Sequence, residues 1–247
     1  MTTNKIPNIA FPDRHMSVLK PFHEPFVKLN DYISCDSQYH HWKEIKNKPL
    51  PGSSQNIYVR KSVFQKLIQV QHSLPAGYKL LIYDGYRDIT VQEALWAHYR
   101  AIIAAKHKSM PDIEIDRLTG FCVTKPSHDI KRPSLHNTGG AVDLTLTYNG
   151  IPINMGTEFD DFHERAWTNY HEIHPVERIT ENRRLLYHAM INHGFTNLPS
   201  EWWHYDYGDE KWALLNNTQP FYEGVLHTDQ LALTSEDFHD MLINEQK

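Results

Sequence analysis

Ser134-Leu135-His136-Asn137-Thr138-Gly139-Gly140-Ala141-Val142-Asp143 is the segment around which the rest of the chain is organised. It places a histidine and an aspartate seven positions apart, with two glycines between them. A second stretch, Glu201-Trp202-Trp203-His204-Tyr205, adds a histidine three positions after a glutamate. Two imidazoles and one carboxylate, from His136, Asp143 and His204, make a three-ligand set that suits Zn²⁺ and leaves a fourth position for water. One Zn²⁺ per chain is therefore expected. A glutamate beside such a set but outside it, here Glu201, has the chemistry of a general base.

The spacing constrains the backbone. Seven positions would bring His136 and Asp143 to one face of a helix, but Gly139-Gly140 argues against a helix. In one unbroken strand an odd offset would send them to opposite faces. His136 is therefore expected at the end of a loop, the glycines in a tight bend, and Asp143 on a strand from Ala141 to Tyr148. The aromatic run Trp202-Trp203-His204-Tyr205 reads as a strand. Glu201 is then expected in the turn after Pro199-Ser200, reaching over the strand start.

Downstream of Asp143, Asn149-Gly150 between Tyr148 and Ile151-Pro152-Ile153-Asn154 signals a hairpin whose return strand, carrying Pro152, lies at an edge. His171 and His174 are three apart with Pro175 next, which does not make a metal-binding helix. Thr180 is a candidate N-cap for a helix from Glu181 to Asn192 that ends at Gly194, with Leu185, Leu186, Ala189 and Met190 towards the core. Trp212, Phe221 and Tyr222 indicate a packed extension, and residues 226–247 read as a terminal helix.

Upstream, residues 109–133 read as a loop with a short strand near Phe121-Cys122-Val123. Asp88 to about Lys108 is a helix, capped by Asp88 or Thr90, and Lys79–Tyr83 is a short buried strand. Arg60–Ser73 carries Val63, Phe64, Leu67 and Ile68 at helical spacing. Residues 1 to about 57, rich in proline and aromatic residues, form an irregular wrap, too aromatic for a disordered tail. Tyr32 in this wrap reads as a packed aromatic rather than a pocket residue.

The 247 residues make one domain of ordinary size or at most two small ones. The expected division is a single catalytic domain over 1–247, with the wrap at about 1–57 and an extension at about 208–247. The net charge of −5, with both signs mixed, leaves no nucleic-acid footprint and no basic surface for an anionic membrane. No apolar run approaches the roughly 18 residues of a membrane span, and the amino terminus lacks the apolar core of a signal peptide, so a cytoplasmic location is expected. Cys35 and Cys122 form no paired motif; two reduced thiols are favoured, with a disulfide left open. The chain holds seventeen histidines, so most must be bystanders.

Ser-x-His-x-x-Gly-x-Ala-x-Asp followed by Glu-Trp-Trp-His-Tyr resembles the D-alanyl-D-alanine dipeptidases, the VanX-type zinc peptidases of family M15. Tyr83-Asp84-Gly85-Tyr86-Arg87, Asp143-Leu144-Thr145-Leu146, Met155-Gly156-Thr157-Glu158-Phe159-Asp160 and Asn182-Arg183-Arg184 agree with it in order. The resemblance runs from about Ile82 to Tyr205. It implies an α+β fold: a small antiparallel sheet carrying the zinc site with helices packed on one side, Hedgehog/D,D-peptidase-like. It implies that Arg87 stabilises the tetrahedral intermediate, that Asp160 holds the free amino group of the dipeptide, and that Ser134 contacts the substrate. Taken without the resemblance, Arg87 reads as a surface charge or a structural salt bridge, Asp160 as a cap or a surface acid, and Ser134 as a turn hydroxyl. The implied activity is hydrolysis of D-Ala-D-Ala, a cell-wall precursor, to two D-alanine. Two rivals are a zinc D,D-carboxypeptidase or cell-wall endopeptidase with an open cleft, and a zinc-bearing binding protein without turnover.

Overall fold

The computed structural model describes residues 4–12 and 14–243. The amino-terminal quarter is irregular apart from 3₁₀ turns at Leu29–Asp31, Gln38–His41 and Lys43–Ile45 and three short strands, β1 (Phe26–Lys28), β2 (Ser34–Cys35) and β3 (Tyr58–Arg60). β1 and β3 pair antiparallel as a separate ribbon. Then follow α1 (Lys61–Ser73), β4 (Tyr78–Asp84), α2 (Ile89–Lys106), α3 (Asp112–Thr119), β5 (Ala141–Tyr148) and β6 (Ile151–Pro152). The last part comprises α4 (Tyr170–Ile173), α5 (Glu177–Asn192), β7 (Thr196–Asn197), β8 (His204–Asp206), α6 (Glu210–Leu215) and α7 (His239–Ile243).

The main sheet runs β2-β4-β5-β8-β7, with β6 hairpinned onto β5. Every pairing is antiparallel except β2 with β4, which is parallel. β5 is central and buried along almost its whole length. Its alternation places Val142, Leu144 and Leu146 on one face and Asp143, Thr145 and Thr147 on the other. The apolar face joins Leu80 and Ile82 of β4 and is covered by Val63, Phe64, Leu67 and Ile68 of α1 and by Leu186 and Met190 of α5. Burying each such side chain stabilises the fold by about 1.5–3 kcal/mol relative to exposure. The helices do not pack on one side of the sheet, the arrangement expected, but divide between its two faces, because both faces carry apolar clusters to cover: Val91, Leu95 and Tyr99 of α2 form a second cluster with Tyr39, Trp42 and Leu50, on the side where Asp143 points.

The predicted α1, β4, α2 and β5 are present within one or two residues of their expected bounds. The hairpin turn has φ of +50° at Asn149 and +81° at Gly150, the left-handed pair that Asn-Gly accommodates. Its return strand stops at Pro152. Tyr32 packs against Phe64 and Phe238, as expected of a core aromatic.

Four further expectations need correction. No strand forms at Phe121–Val123; the segment before it is α3, which buries Ile115 and Thr119 one turn apart, and Phe121 is exposed. Of its three apolar residues, Ile113, Ile115 and Leu118, only Ile115 is buried, so no apolar stripe stands out in this polar stretch. α5 begins at Glu177, so Thr180 lies inside it, with its hydroxyl donating to the Val176 or His171 carbonyl at 3.1 Å. Trp202 and Trp203 lie in a turn and β8 starts at His204, because Asn197 Nδ2 donates to the carbonyls of Glu201 (3.1 Å) and His204 (2.9 Å) and holds the bend. The terminal helix shrinks to α7; before it lie only a 3₁₀ turn at Thr228–Gln230 and irregular chain, and residues 244–247 of that expectation are outside the described residues. Cys35 and Cys122 are both free. Among the described residues, no helix is long and apolar enough to cross a membrane.

α2 is anchored at its start by Asp88, whose Oδ1 accepts from Thr90 N (2.9 Å) and whose Oδ2 accepts from Thr228 N (2.8 Å) and Thr228 Oγ1 (3.1 Å). Burial pushes the Asp88 pKa up, but these donors outweigh it and hold it below the usual carboxylate range. Asp88→Ala is expected to lower stability at neutral pH by about 2 kcal/mol, through a lost cap and unpaired donors in the Thr228 turn. A depressed folded pKa means that this contribution is present above the unfolded pKa and is lost as pH falls through the folded one. Thermal midpoints of parent and variant, measured from neutral pH downward, should therefore converge in acid. A constant gap would show that charge on Asp88 is not the cause.

Candidate metal centre and surrounding site

The site begins with an irregularity in β4. Ile82 stands opposite Leu144, so regular pairing would set Tyr83 opposite Asp143 and turn Asp84 to the apolar face. Instead Asp84 stands opposite Asp143, with a register shift between Ile82 and Asp84. This bulge gives β4 one extra residue and turns Asp84 onto the face that carries Asp143. On the other side Asp143 stands opposite His204 of β8. Asp84, Asp143 and His204 thus form a row across three neighbouring strands, and Asp206, two positions on from His204, extends it.

His136 arrives from the 3₁₀ turn Leu135–Thr138, which Gly139 closes at φ +72°. A side chain at Gly139 would also run into the Phe26 ring. Behind the turn, Arg60 Nε donates to the Thr138 carbonyl at 2.8 Å and Arg60 N to the Gly139 carbonyl at 3.0 Å. Asn137 Nδ2 donates to the Arg87 carbonyl, and Arg87 N to the His136 carbonyl at 3.2 Å. The turns carrying His136 and Arg87 are therefore locked to each other.

Nitrogen and oxygen atoms of His136, Asp143 and His204 lie within 4.8 Å of one another, and all three residues are buried. His136 Nδ1 lies 2.8 Å from the Gly85 carbonyl, which can only accept, so Nδ1 carries the proton. The lone pair of Nε2 then faces Asp143 Oδ2 at 3.3 Å. His204 has a carboxylate at each nitrogen: Asp206 Oδ1 at 2.7 Å from Nε2 and Asp143 Oδ1 at 3.0 Å from Nδ1. A lone pair aimed at a carboxylate is repulsive unless a cation lies between them. With the outer nitrogens held by Gly85 and Asp206, the inner nitrogens and Asp143 converge as metal ligands do when oriented by their outer hydrogen bonds. These three side chains fit a metal ion.

Glu201 stands outside this trio, with Oε2 3.9 Å from His204 Nδ1. Burial, above all, pushes its carboxyl up to about 7. Its backbone N donates to the Leu198 carbonyl, so it sits in the turn expected for it. Arg87 donates from Nε to Asp84 Oδ2 (2.9 Å), from Nη1 to Gln92 Oε1 (2.9 Å) and from Nη2 to the Tyr39 hydroxyl (3.4 Å). Nη2 also lies 3.6 Å from Asp143 Oδ2. Burial opposes the charge on Arg87, but Tyr39, Asp84, Asp143 and Asp160 outweigh it and keep the guanidinium protonated. Asp160, at φ +59°, accepts from the Tyr39 hydroxyl at 3.3 Å through Oδ1. Its Oδ2 and the Ser134 hydroxyl are buried without a partner. Burial, then the nearby Asp143, drives the Asp160 pKa well above the usual range.

The segment carrying Asp160 is pinned at both ends. Buried Arg183 donates to the carbonyls of Met155 (2.7 Å), Trp167 (2.6 Å) and Arg165 (2.7 Å). Trp202, next to Glu201, donates from Nε1 to Thr157 Oγ1 at 2.8 Å and from its backbone N to the Ala166 carbonyl at 3.1 Å.

All seven residues singled out in the sequence, Arg87, Ser134, His136, Asp143, Asp160, Glu201 and His204, line one small chamber. His171 and His174 are not in the metal set. Sequence reasoning missed Asp84, Asp206, Gln92 and Tyr39. Asp206 had a signal, since a strand returns to the same face every second residue. Asp84 lay inside a quoted motif but needed the bulge to be placed. Gln92 lies in the first turns of α2. Tyr39 had no local signal, being 48 positions from Arg87 in the irregular wrap.

The arrangement points to a class: a candidate His-Asp-His metal site with a buried carboxylate and a guanidinium beside it, a set suited to hydrolysis. A family model described as D-ala-D-ala dipeptidase (Peptidase M15) matches residues 26–223. The D-alanyl-D-alanine dipeptidase of Enterococcus faecalis is 33% identical over 184 residues, covering 72% of this chain and 87% of the relative. That of Synechocystis is 30% identical over 184 residues, covering 63% and 71%, and that of Enterococcus faecium 30% over 187 residues, covering 72% and 87%. The chain belongs to the D-Ala-D-Ala dipeptidase family, peptidase family M15, and is an enzyme of that family.

Proposed function

We propose that this enzyme hydrolyses free D-Ala-D-Ala to two D-alanine, with Zn²⁺ held by His136, Asp143 and His204. The observation that carries this reading is the convergence of all seven residues on one chamber. When bound, Zn²⁺ supplies Lewis-acid polarisation of the scissile carbonyl and acidifies water. Glu201 Oε takes the proton from the attacking water and passes it to the leaving amine. A carboxyl pushed up to about 7 both accepts and releases a proton near neutral pH. Arg87, held flat by Asp84 and Gln92, donates to the oxyanion that develops on the carbonyl oxygen. Asp160 receives the substrate ammonium, and the buried Ser134 hydroxyl a further polar group of the dipeptide. Unpartnered buried atoms on both residues support these roles, because an empty hydrogen-bonding position in a chamber wall is costly unless something fills it.

The test compares free D-Ala-D-Ala with an N-acylated D-Ala-D-Ala peptide, using zinc-loaded protein. Cleavage of the free dipeptide alone is expected. Asp160→Asn should raise its KM by about 100-fold, the scale of one buried charge-assisted contact, with zinc content unchanged. Cleavage of the acylated peptide would move the enzyme to the carboxypeptidase class and remove Asp160 from this role. Zinc binding without cleavage of either would indicate a binding protein.

A further inference from the structure

Residues 4–12 lie outside the family match, which starts at residue 26. Their contacts fall on two separate parts of the molecule. At one end the Asn4 carbonyl lies 2.9 Å from His188 Nε2, Ile6 N donates to Glu172 Oε1 at 3.1 Å, and the Ile6 side chain is buried. Glu172 is itself fixed by two hydrogen bonds from Arg184, so this anchor stands on α4 and α5. At the other end the Phe11 ring lies under Lys211 Nζ at 4.7 Å, on α6, and Met16 N donates to Glu210. Between the anchors Pro7 lacks a donor, and among the described residues no hydrogen bond holds Asn8 or Ile9.

Asn8 and Ile9 instead line a vestibule of about 660 Å³. The chamber, about 60 Å³ by the same measure, shares Cys122, Leu135, Leu198 and Glu201 with it. Asp160 lines the chamber but not the vestibule. A dipeptide with its ammonium at Asp160 and its carbonyl at the ligands therefore points its carboxyl-terminal residue towards Glu201 and the vestibule. This direction rests on the functional reading above.

We infer that the strap of residues 4–12, with Ile9 facing inward between its two anchors, forms the outer wall of the vestibule and limits the bulk of the carboxyl-terminal residue that the enzyme accepts. Ile9 is its specificity-determining side chain, and Phe11 on Lys211 keeps the wall closed.

The test uses the full chain in a Cys35→Ser background, leaving Cys122 as a thiol reporter inside the vestibule. Ile9→Gly combined with Phe11→Ala should speed alkylation of Cys122 by a bulky fluorescein maleimide about tenfold, and by iodoacetamide far less, because the local opening of a wall matters most to a large probe. The same variant should shift the kcat/KM ratio of D-Ala-D-Phe over D-Ala-D-Ala about tenfold towards the bulky dipeptide. Ile9→Leu, which keeps the wall, should match the parent in both. Equal maleimide rates in parent and double variant overturn the strap, as does an unchanged ratio. If the parent cleaves no D-Ala-D-Ala, the reading of the site fails, and the alkylation rates still decide whether the strap is a wall.

Discussion

Glu201→Gln is expected to lower the turnover of free D-Ala-D-Ala by about 10³-fold while leaving zinc content unchanged. The side chain lies outside the proposed ligand trio, 3.9 Å from His204 Nδ1, so the substitution removes none of the proposed ligands. Glutamine has nearly the same shape, and the turn is held by backbone groups and by Asn197, which the substitution does not touch. What disappears is basicity. Stability should not fall, because burial is the main cause that pushes Glu201 up to about 7; a neutral amide there avoids the desolvation that a carboxylate suffers. Single-turnover kinetics with parallel metal analysis and a thermal melt make the measurement. A glutamine variant that keeps more than about a tenth of parental turnover would remove Glu201 from the role of base.

Asp143→Ala is expected to weaken zinc binding sharply and to abolish turnover. Asp143 lies between His136 and His204 and within 3.6 Å of Arg87, on a strand buried on both faces. Removing one ligand of three should weaken zinc binding by about 10³-fold, given the 10–16 kcal/mol that a full set contributes in small zinc domains. It also leaves Arg87 and two imidazoles facing a hole, a loss of about 3–5 kcal/mol for a broken buried charge network. Asp143→Asn separates the two effects, since it fills the volume but donates a poorer ligand. Calorimetric titration should show one zinc per parental chain and a dissociation constant about 10³-fold larger for the alanine variant. The parental melt should rise with added zinc by mass action, and the variant's only at about 10³-fold higher free zinc. A variant that still binds one zinc tightly would place the metal elsewhere.

The positions of the candidate ligands were legible because glycine and strand chemistry act locally. Gly139-Gly140 excludes a helix between His136 and Asp143, and the alternation from Ala141 to Tyr148 fixes which side Asp143 faces. Glu201 was placed in a turn by the Pro-Ser before it. What escaped depended on contacts distant in sequence. Tyr39 reaches Arg87 and Asp160 only because the irregular amino-terminal wrap folds over α2. α3 buries two residues, too few to leave a period. Trp202 and Trp203 have strand composition but are bent out of the sheet by an asparagine several positions earlier. Composition reports what a residue favours; Asn197 decides where that preference is overruled.

The extra residue at the end of β4 makes the site depend on register as well as on identities. Were β4 to pair with β5 without the bulge, Tyr83 would stand opposite Asp143 and Asp84 would turn to the apolar face beside Val142. The Gly85 carbonyl would then draw away from His136 Nδ1. Every residue of the site would keep its identity and its order, so the motifs would read as intact while the row across the three strands was broken.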